Sequence, residues 1–500
     1  MDTAPSFSTF AGIYGAGRPQ VLFARVVADL ETPVSAFLKI GEGRDNAFLL
    51  ESVQGGETRG RYSIIGLKPD LIWRCQEGRA EINRDALANP DAFVADERAV
   101  QPLDSLKHLL RSVRMELPED LPPMAAGLFG YLGYDMVRLM ERLPDAPPDV
   151  LGLPDAILVR PTITAIFDNV RDQITVVTPV WPDARLDAQA AYARAEARLK
   201  ETLAELRRAG GKKPSQNAAS NIATVVSNTS HAEYLAIVEK AKEYVRAGDI
   251  FQVVPSQRFR RPFTLPPFAL YRALRRLNPS PFLYFLNFPG FAIAGSSPEI
   301  LVRLRDGVVT IRPIAGTRPR GKTDAEDKKL AEQLLSDPKE RAEHLMLLDL
   351  GRNDVGRVVE TGSVHVTDQF FIERYSHVMH IVSNIEGRIR KNMDAVDALI
   401  AGFPAGTLTG APKVRAMEII DELEKEKRGV YGGAVGYFAA DGSMDTCIAL
   451  RTAVIKDGTM YVQAGGGVVA DSDPEAEYQE TVNKAKALMA AADDAMRARE

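Results

Sequence analysis

Residues 303–321 read RLRDGVVTIRPIAGTRPRG. Two strand-like runs flank Asp306-Gly307, a dipeptide that tolerates the positive backbone φ of a two-residue hairpin turn. The second run enters a bare Ala315-Gly316-Thr317 turn and then three basic residues, Arg318, Arg320 and Lys322. The same Asp-Gly signal recurs at Asp441-Gly442 and Asp457-Gly458, again between strand-like runs. Hairpins in series predict largely antiparallel pairing rather than a regular alternation of parallel strands and helices. The expected fold class is α+β. The Ala-Gly-Thr turn itself has two readings, a surface hairpin or the backbone cradle of an anion.

Outward from this run, helical signals divide the chain. From Asp183 to Arg208 the sequence is rich in Ala, Leu, Glu and Arg with helical periodicity, and it ends at Gly210-Gly211 before a polar KKPSQNAASN. The expected regions are 20–182, made of short strands and turns, a helix and linker over 183–228, and a mixed region over 229–492. The last opens on a capping box, Ser230-x-x-Glu233, and a helix with Tyr234, Ile237, Val238, Ala241 and Val245 on one face, stopping at Gly248. In the following IFQVV, Ile250, Gln252 and Val254 share a face, so one amide points among aliphatics. Thr323-x-x-Glu326 and Asp337-Pro338 with Glu340 start two more helices, the second predicted to end near Leu350 before Gly351. Ser472-Asp473-Pro474-Glu475 starts the last one.

Composition narrows the function. The 500 residues carry a formal charge of -5, with 45% hydrophobic and 26% charged residues. That balance argues against a general nucleic-acid or anionic-membrane binder, so an anionic ligand must be met by local charge. Cys75 and Cys447 are the two cysteines and form no C-x-x-C, which fits neither a disulfide scaffold nor a cysteine zinc site, and fits a reducing cytoplasm. The first residues lack a basic stretch leading into an apolar one, and the apolar run FLYFLNFPGFAIAG is broken by Asn287, Pro289 and Gly290. Neither export nor a membrane span is expected.

Several side chains have both a bland and a chemical reading. Glu343 lies on a helix flanked by Leu347 and Leu350, as a solvated carboxylate, an ion-pair partner or a metal ligand. Glu477 and Glu480 point the same way three residues apart, although Glu480 and Lys484 also form an ordinary i,i+4 pair. Carboxylates from two helices suit magnesium, a hard cation that takes oxygen ligands. His380, sharing a strand face with Val378 and Val382, is a core residue or a proton carrier. Glu299 in GSSPEIL is a hairpin carboxylate or a general acid raised by apolar surroundings. Arg451 in CIALRTAV is a buried structural arginine or a carboxylate clamp. QAGGGVV, residues 463–469, lacks the spacing of a dinucleotide fingerprint, but its glycines expose backbone N–H groups.

In chain order, PIAGTRPRG, RAEHLMLLDLGRNDVGRV, VMHIVS, FPAGTLTGAPKVRAMEII, YGGAVGYF, DTCIALRTA and QAGGGVV with its following acidic helix resemble the chorismate-utilising enzymes, and within them the anthranilate synthase component I family. The resemblance covers nearly everything from Thr32 to the C-terminus. It implies two packed αβ lobes with large, mainly antiparallel sheets, and a cleft for chorismate and Mg2+. Glu343 and Glu480, with Glu477 close by, correspond to the metal-binding glutamates. Gly316, Thr317, Tyr431, Arg451, Gly465 and Gly467 correspond to chorismate contacts, which favours the cradle. Magnesium would offset one substrate carboxylate while Arg451 and the glycine amides hold the other.

The resemblance further implies that Glu299 protonates the leaving hydroxyl, that His380 assists that departure or the later elimination, and that Thr317 orients the hydroxyl. Two positions select the nucleophile. Aminodeoxychorismate synthases typically carry a nucleophilic lysine where this chain has Ala315, and isochorismate and salicylate synthases carry a water-activating lysine where it has Gln252. Ammonia needs neither lysine, so the implied reaction is a lyase step of tryptophan biosynthesis: amination of chorismate ortho to its carboxylate, loss of the hydroxyl, then release of pyruvate to give anthranilate. The alternatives are an aminodeoxychorismate synthase component I and a non-catalytic regulatory paralogue. Ammonia would come from a glutamine amidotransferase subunit, component II, in a heterotetramer. Glu51, Ser52, Pro281, Phe282, Leu283, Val435, Tyr437 and Cys447 match an L-tryptophan feedback site, although FLLES alone reads as a strand end, and the family often has Tyr-Met at Phe282-Leu283.

Overall fold

A computed structural model describes residues 2–54, 58–97, 99, 101–208, 224–375 and 378–497. The expected hairpins form. Ile300–Arg305 and Val308–Ile311 are joined by Asp306 and Gly307, both at positive φ (51° and 74°), and Thr452–Lys456 joins Thr459–Gly465 through Asp457 and Gly458 at 49° and 68°. Two consecutive left-handed residues are what a twisted two-residue hairpin requires. All strand pairs recorded among the described residues are antiparallel, and 22 strands join one hydrogen-bonded network. Mixed helix with large antiparallel sheet is thus the architecture, as expected.

The network crosses the expected boundary between regions. Ala47–Gln54 pairs with Phe282–Phe288, setting Ser52 opposite Phe282 and Glu51 opposite Leu283. Gly127–Leu132 pairs with Ala434–Ala439. The N-terminal strands are also longer than expected: Thr58–Gln76 spans 19 residues and Ala156–Asp168 spans 13. Irregular register at Pro69/Leu71 lets the first bend while staying paired, so its turn-like residues do not end it. The helix Ala188–Leu206 lays Ala195, Leu199, Leu203 and Leu206 against Leu22, Ala24 and Val176 of the sheet, so it belongs to the N-terminal core. The Gly210-Gly211 linker and the Gly55-Gly56 turn lie outside the described residues.

The helix start signals hold. Ser230 and Glu233 cap each other reciprocally at His231–Ala247, which ends on left-handed Gly248; Thr323 caps Asp324–Ser336. Asp337 accepts from the N–H groups of Lys339 and Glu340 to start Pro338–Gly356. That helix runs past its predicted stop. A Cβ at Gly351 would lie 2.6 Å from Ile385 Cδ1, so this glycine lets the helix approach the strand Val378–Arg388 instead of ending it. IFQVV is shorter than expected as a strand: only Gln252–Val253 pairs, with Gly410–Ala411.

Candidate active site

The strand Ile314–Pro319 pairs with Val378–Arg388 through a bulge: Ala315 faces Ile381 and Arg318 faces Met379, so Gly316 and Thr317 together oppose one residue, His380. Gly316 takes φ 68° there. The His380 Nδ1 lies 2.8 Å from the Gly316 carbonyl oxygen and 3.1 Å from Thr317 Oγ1. A carbonyl only accepts, so Nδ1 carries the proton and Nε2 presents a lone pair, buried and without a partner among the described residues. Burial pushes the imidazole down to about 4. The ring is a neutral acceptor at pH 7 because its charged form would be desolvated, which is the state a proton carrier needs in order to take up a proton.

Glu299 is tuned oppositely. It is 6% exposed, and burial pushes its carboxyl up to about 8, only partly countered by a hydrogen bond from Thr407 Oγ1 to Oε1 (3.2 Å), the Ile314 N–H and the Arg451 charge. At pH 7 it holds its proton. A protonated carboxyl and a neutral imidazole whose environments drive their pKa values apart make an acid and a base.

Arg451, at φ 49°, is largely enclosed; burial lowers its pKa, and the Tyr375 and Glu299 sites act in the opposite sense. Among the described residues its guanidinium has no ion pair or hydrogen bond. A desolvated cation without a counter-ion is a receptor for an anion. By contrast, Arg318 binds Asp337 and Glu340, and Arg320 binds Asp327 and the Tyr375 carbonyl. These two arginines anchor the turn to the helix starts, and of the three only Arg451 is without an acidic partner among the described residues.

Gln252 donates from Nε2 to Glu343 Oε1 at 3.3 Å, and its own Oε1 is buried without a partner among the described residues. The glycine run packs against these groups. A Cβ at Gly467 would collide with Gln252 Nε2, at Gly466 it would lie 2.9 Å from Glu477 Oε2, and at Gly465 3.1 Å from Tyr431 Oη. The Gly466 N–H already donates to Pro255 O, so it is not free for a ligand, and the expectation that amides of this run hold a carboxylate is corrected for that residue. What the run supplies is clearance. Tyr431 lies beside the buried Arg428, 5.5 Å from ring to guanidinium, and Arg428 is closed by Glu424.

Burial raises the carboxyls of Glu343 and Glu477, and Glu480 adds like charge to both. Glu477 Oε2 is buried without a partner among the described residues. Glu480 forms the 2.7 Å pair with Lys484 expected from spacing, and Lys484 also donates to the Gly465 carbonyl at 2.9 Å. Among the described residues no three His, Cys, Asp or Glu side chains stand close enough to cage a metal by themselves. An incomplete set of oxygen donors, mutually repelling and partly orphaned, fits magnesium, which leaves positions to water and to substrate oxygens.

The residues matched to a tryptophan site divide between two faces. Ser52 and Phe282 share one, and Phe282 packs in an apolar cluster with Val435, Tyr437 and Cys447. Glu51 and Leu283 point to the other, where Arg275 holds Glu51 through Nε at 2.6 Å and Nη2 at 2.9 Å, joined by Tyr271 Oη. Pro281 leads into the strand Phe282–Phe288. Burial pushes the Cys75 thiol up to about 12 and raises Cys447 as well, so neither is an activated nucleophile.

Sequence reasoning singled out neither Thr407 nor Tyr375. Thr407 lies in the quoted FPAGTLTGAPK, on the short helix Gly406–Thr409, but a lone hydroxyl gives no signal until its partner Glu299 is placed beside it.

A family model described as chorismate binding enzyme matches residues 47–490. The anthranilate synthase component 1 of Cereibacter sphaeroides is 61% identical over 490 residues, covering 98% of each chain. That of Pseudomonas aeruginosa is 49% identical over 93% of this chain and 94% of its own. Among solved structures, anthranilate synthase component I from Streptococcus pneumoniae superposes with a TM-score of 0.76 at 38% identity, covering 93% of this chain and 99% of that one. The isochorismate synthase MenF of Escherichia coli shares the fold at a TM-score of 0.70 and 19% identity, covering 97% and 100%. With a family model matched over residues 47–490, a relative 61% identical over 98% of each chain, and Arg451 close enough to act on both Glu299 and His380, this chain belongs to the chorismate binding enzyme family.

Proposed function

We propose that this chain converts chorismate and ammonia to anthranilate and pyruvate, the activity its component 1 relatives are named for. The observation that carries the reading is the half-buried Arg451, without a counter-ion among the described residues, whose charge acts on both a protonated Glu299 and His380. Arg451 binds a substrate carboxylate by a charge-assisted fork. Glu299 delivers its proton to the departing ring hydroxyl, and Nε2 of His380 accepts a proton in the later elimination. Thr317, exposed at the bulge, orients the hydroxyl. Ala315 has no amine to attack the ring, and the Gln252 amide cannot deprotonate water, so an external nitrogen is the nucleophile.

Glu343 and Glu480, with Glu477, would hold magnesium, which when bound supplies positive charge to offset a carboxylate. Ammonia comes from a glutamine amidotransferase subunit, component II, in a heterotetramer; the raised thiols of both cysteines support an external source. L-tryptophan inhibits through the Ser52 and Phe282 face. Among the described residues no helix is long and apolar enough to cross a membrane, and two unpaired, buried cysteines support a cytoplasmic location.

Incubation with chorismate, magnesium and ammonium salt is expected to release pyruvate and fluorescent anthranilate; accumulation of a 4-amino product would overturn the reading. Glu343→Gln is expected to raise the magnesium needed for half-maximal turnover by about a hundredfold, judged from the effects of metal-site substitutions. An unchanged magnesium titration would remove Glu343 from the site.

A further inference from the structure

The helix Pro338–Gly356 packs on the sheet through apolar side chains, Leu348 and Val355 clustering with Ile385, and apolar packing tolerates small rolls and slides. One contact is directional. His344 is fully buried, and its Nε2 lies 2.6 Å from Ser383 Oγ on the strand Val378–Arg388. Among the described residues this is the only side-chain hydrogen bond joining that helix to that strand. Ser383 is itself fixed from two sides. Its N–H donates to the Pro313 carbonyl at 3.3 Å, and its Oγ accepts from the Phe370 N–H at 3.1 Å. Phe370 belongs to a bulge, with Gln369 and Phe370 opposing Ser383 alone, and takes φ 53°, a conformation that strains a side chain. Its ring packs edge-on to the His344 ring, with centroids 4.8 Å apart. With its oxygen accepting from Phe370, the Ser383 hydroxyl gives its own proton to Nε2, the one acceptor in reach among the described residues. The imidazole proton is then on Nδ1, buried without a partner among the described residues. Both features cost stability that an all-apolar contact would not. None of the roles assigned above uses this pair, yet His344 is the residue next to Glu343.

We propose that His344, held by Ser383, is a positioning residue that fixes the roll of the helix Pro338–Gly356 about its axis, and with it the direction of the adjacent Glu343 carboxylate. The inference rests on the assignment of Glu343 to magnesium. A carboxylate at the helix surface lies about 5–6 Å from the axis, so a roll of about 20° displaces it by roughly 2 Å, about the length of a magnesium–oxygen bond. Magnesium demands near-ideal octahedral geometry, so a displacement of that size removes a ligand rather than stretching one. Two other contacts lie near Glu343: Gln252 donates to its Oε1 at 3.3 Å, and Arg318 holds Glu340 one turn earlier. The first acts at the tip of a flexible side chain and the second through a long, partly exposed arginine, so both follow the helix. The enclosed imidazole cannot move without opening a void.

The test is binding of Mn2+, which takes the same oxygen ligands and reports through its EPR spectrum, to the full chain with chorismate and without ammonium, so that no amination runs. His344→Leu is expected to raise the dissociation constant for Mn2+ by about tenfold, the lower end for partners of metal-ligating groups, and Ser383→Ala by a similar factor. The double variant should bind no more weakly than either single one, because the same contact is lost in all three. His344→Gln, whose amide can reach Ser383, is expected to recover most of the affinity. A merely structural role would lower the metal-free melting temperature and leave the Mn2+ affinity unchanged. Should His344→Leu not fold, Ser383→Ala, which removes a single oxygen atom, decides the matter. Folded variants with wild-type Mn2+ affinity overturn the proposal. Wild-type protein that binds no Mn2+, or a Glu343→Gln variant that binds it as tightly as wild type, would instead overturn the assignment of Glu343 on which it rests.

Discussion

Glu299→Gln is expected to lower kcat by about three orders of magnitude with little change in KM for chorismate, the range set by loss of a general acid. The amide keeps the shape and can still accept from Thr407, so binding survives while proton delivery does not. The pH profile gives a second measurement. At constant free ammonia, wild-type kcat/KM should fall above pH about 8, where Glu299 loses its proton, and below about 4, where His380 Nε2 gains one. The glutamine variant should lack the upper limb. Stability supplies a third. A carboxyl raised in the folded state stabilises the fold below its unfolded pKa, and that contribution is lost as pH rises through about 8. Glu299→Gln should therefore melt at a higher temperature than wild type at pH 8. A variant with wild-type kcat would remove Glu299 as the acid.

Arg451→Met is the second large effect. Unpairing a desolvated carboxylate costs about 3 kcal/mol, so kcat/KM for chorismate should fall by at least about a hundredfold. Arg451→Lys should recover little of it, because an ammonium cannot make the planar two-point contact. The free protein should respond in the opposite sense. Arg451 is a half-buried charge with no ion pair among the described residues, and burial disfavours its charged form, so methionine relieves desolvation and should raise the melting temperature. An arginine that served the fold through an internal acid would show loss of both stability and activity. Weaker substrate use combined with a more stable protein identifies a ligand receptor.

What could be read from the sequence was local. Ser230, Thr323 and Asp337 signal helix starts because a cap needs only residues within one turn, and Asp306-Gly307 signals a hairpin because its turn needs only two. Gly351 misled because a glycine that ends a helix and one that admits a neighbouring strand look alike along the chain. The apolar neighbours of Arg451 left it as a structural arginine or a carboxylate clamp, and only the acidic partners of Arg318 and Arg320 in the fold set it apart from those two. The bulge that sets His380 opposite Gly316 and Thr317 depends on the register of two strands some 60 residues apart, which no window of sequence contains. The tuning of Glu299 and His380 follows from burial by distant segments and was equally out of reach.

The pairing of Ala47–Gln54 with Phe282–Phe288, and of Gly127–Leu132 with Ala434–Ala439, bears on how the protein is made. Synthesis runs from the N-terminus, so a nascent chain leaves the ribosome with two strand edges whose partners have yet to be translated. Such edges recruit foreign strands. At translation rates of roughly 5–20 residues per second, the later partner trails by many seconds. The strand order therefore sets an expected outcome: a chain stalled between those segments should aggregate more readily than the finished protein.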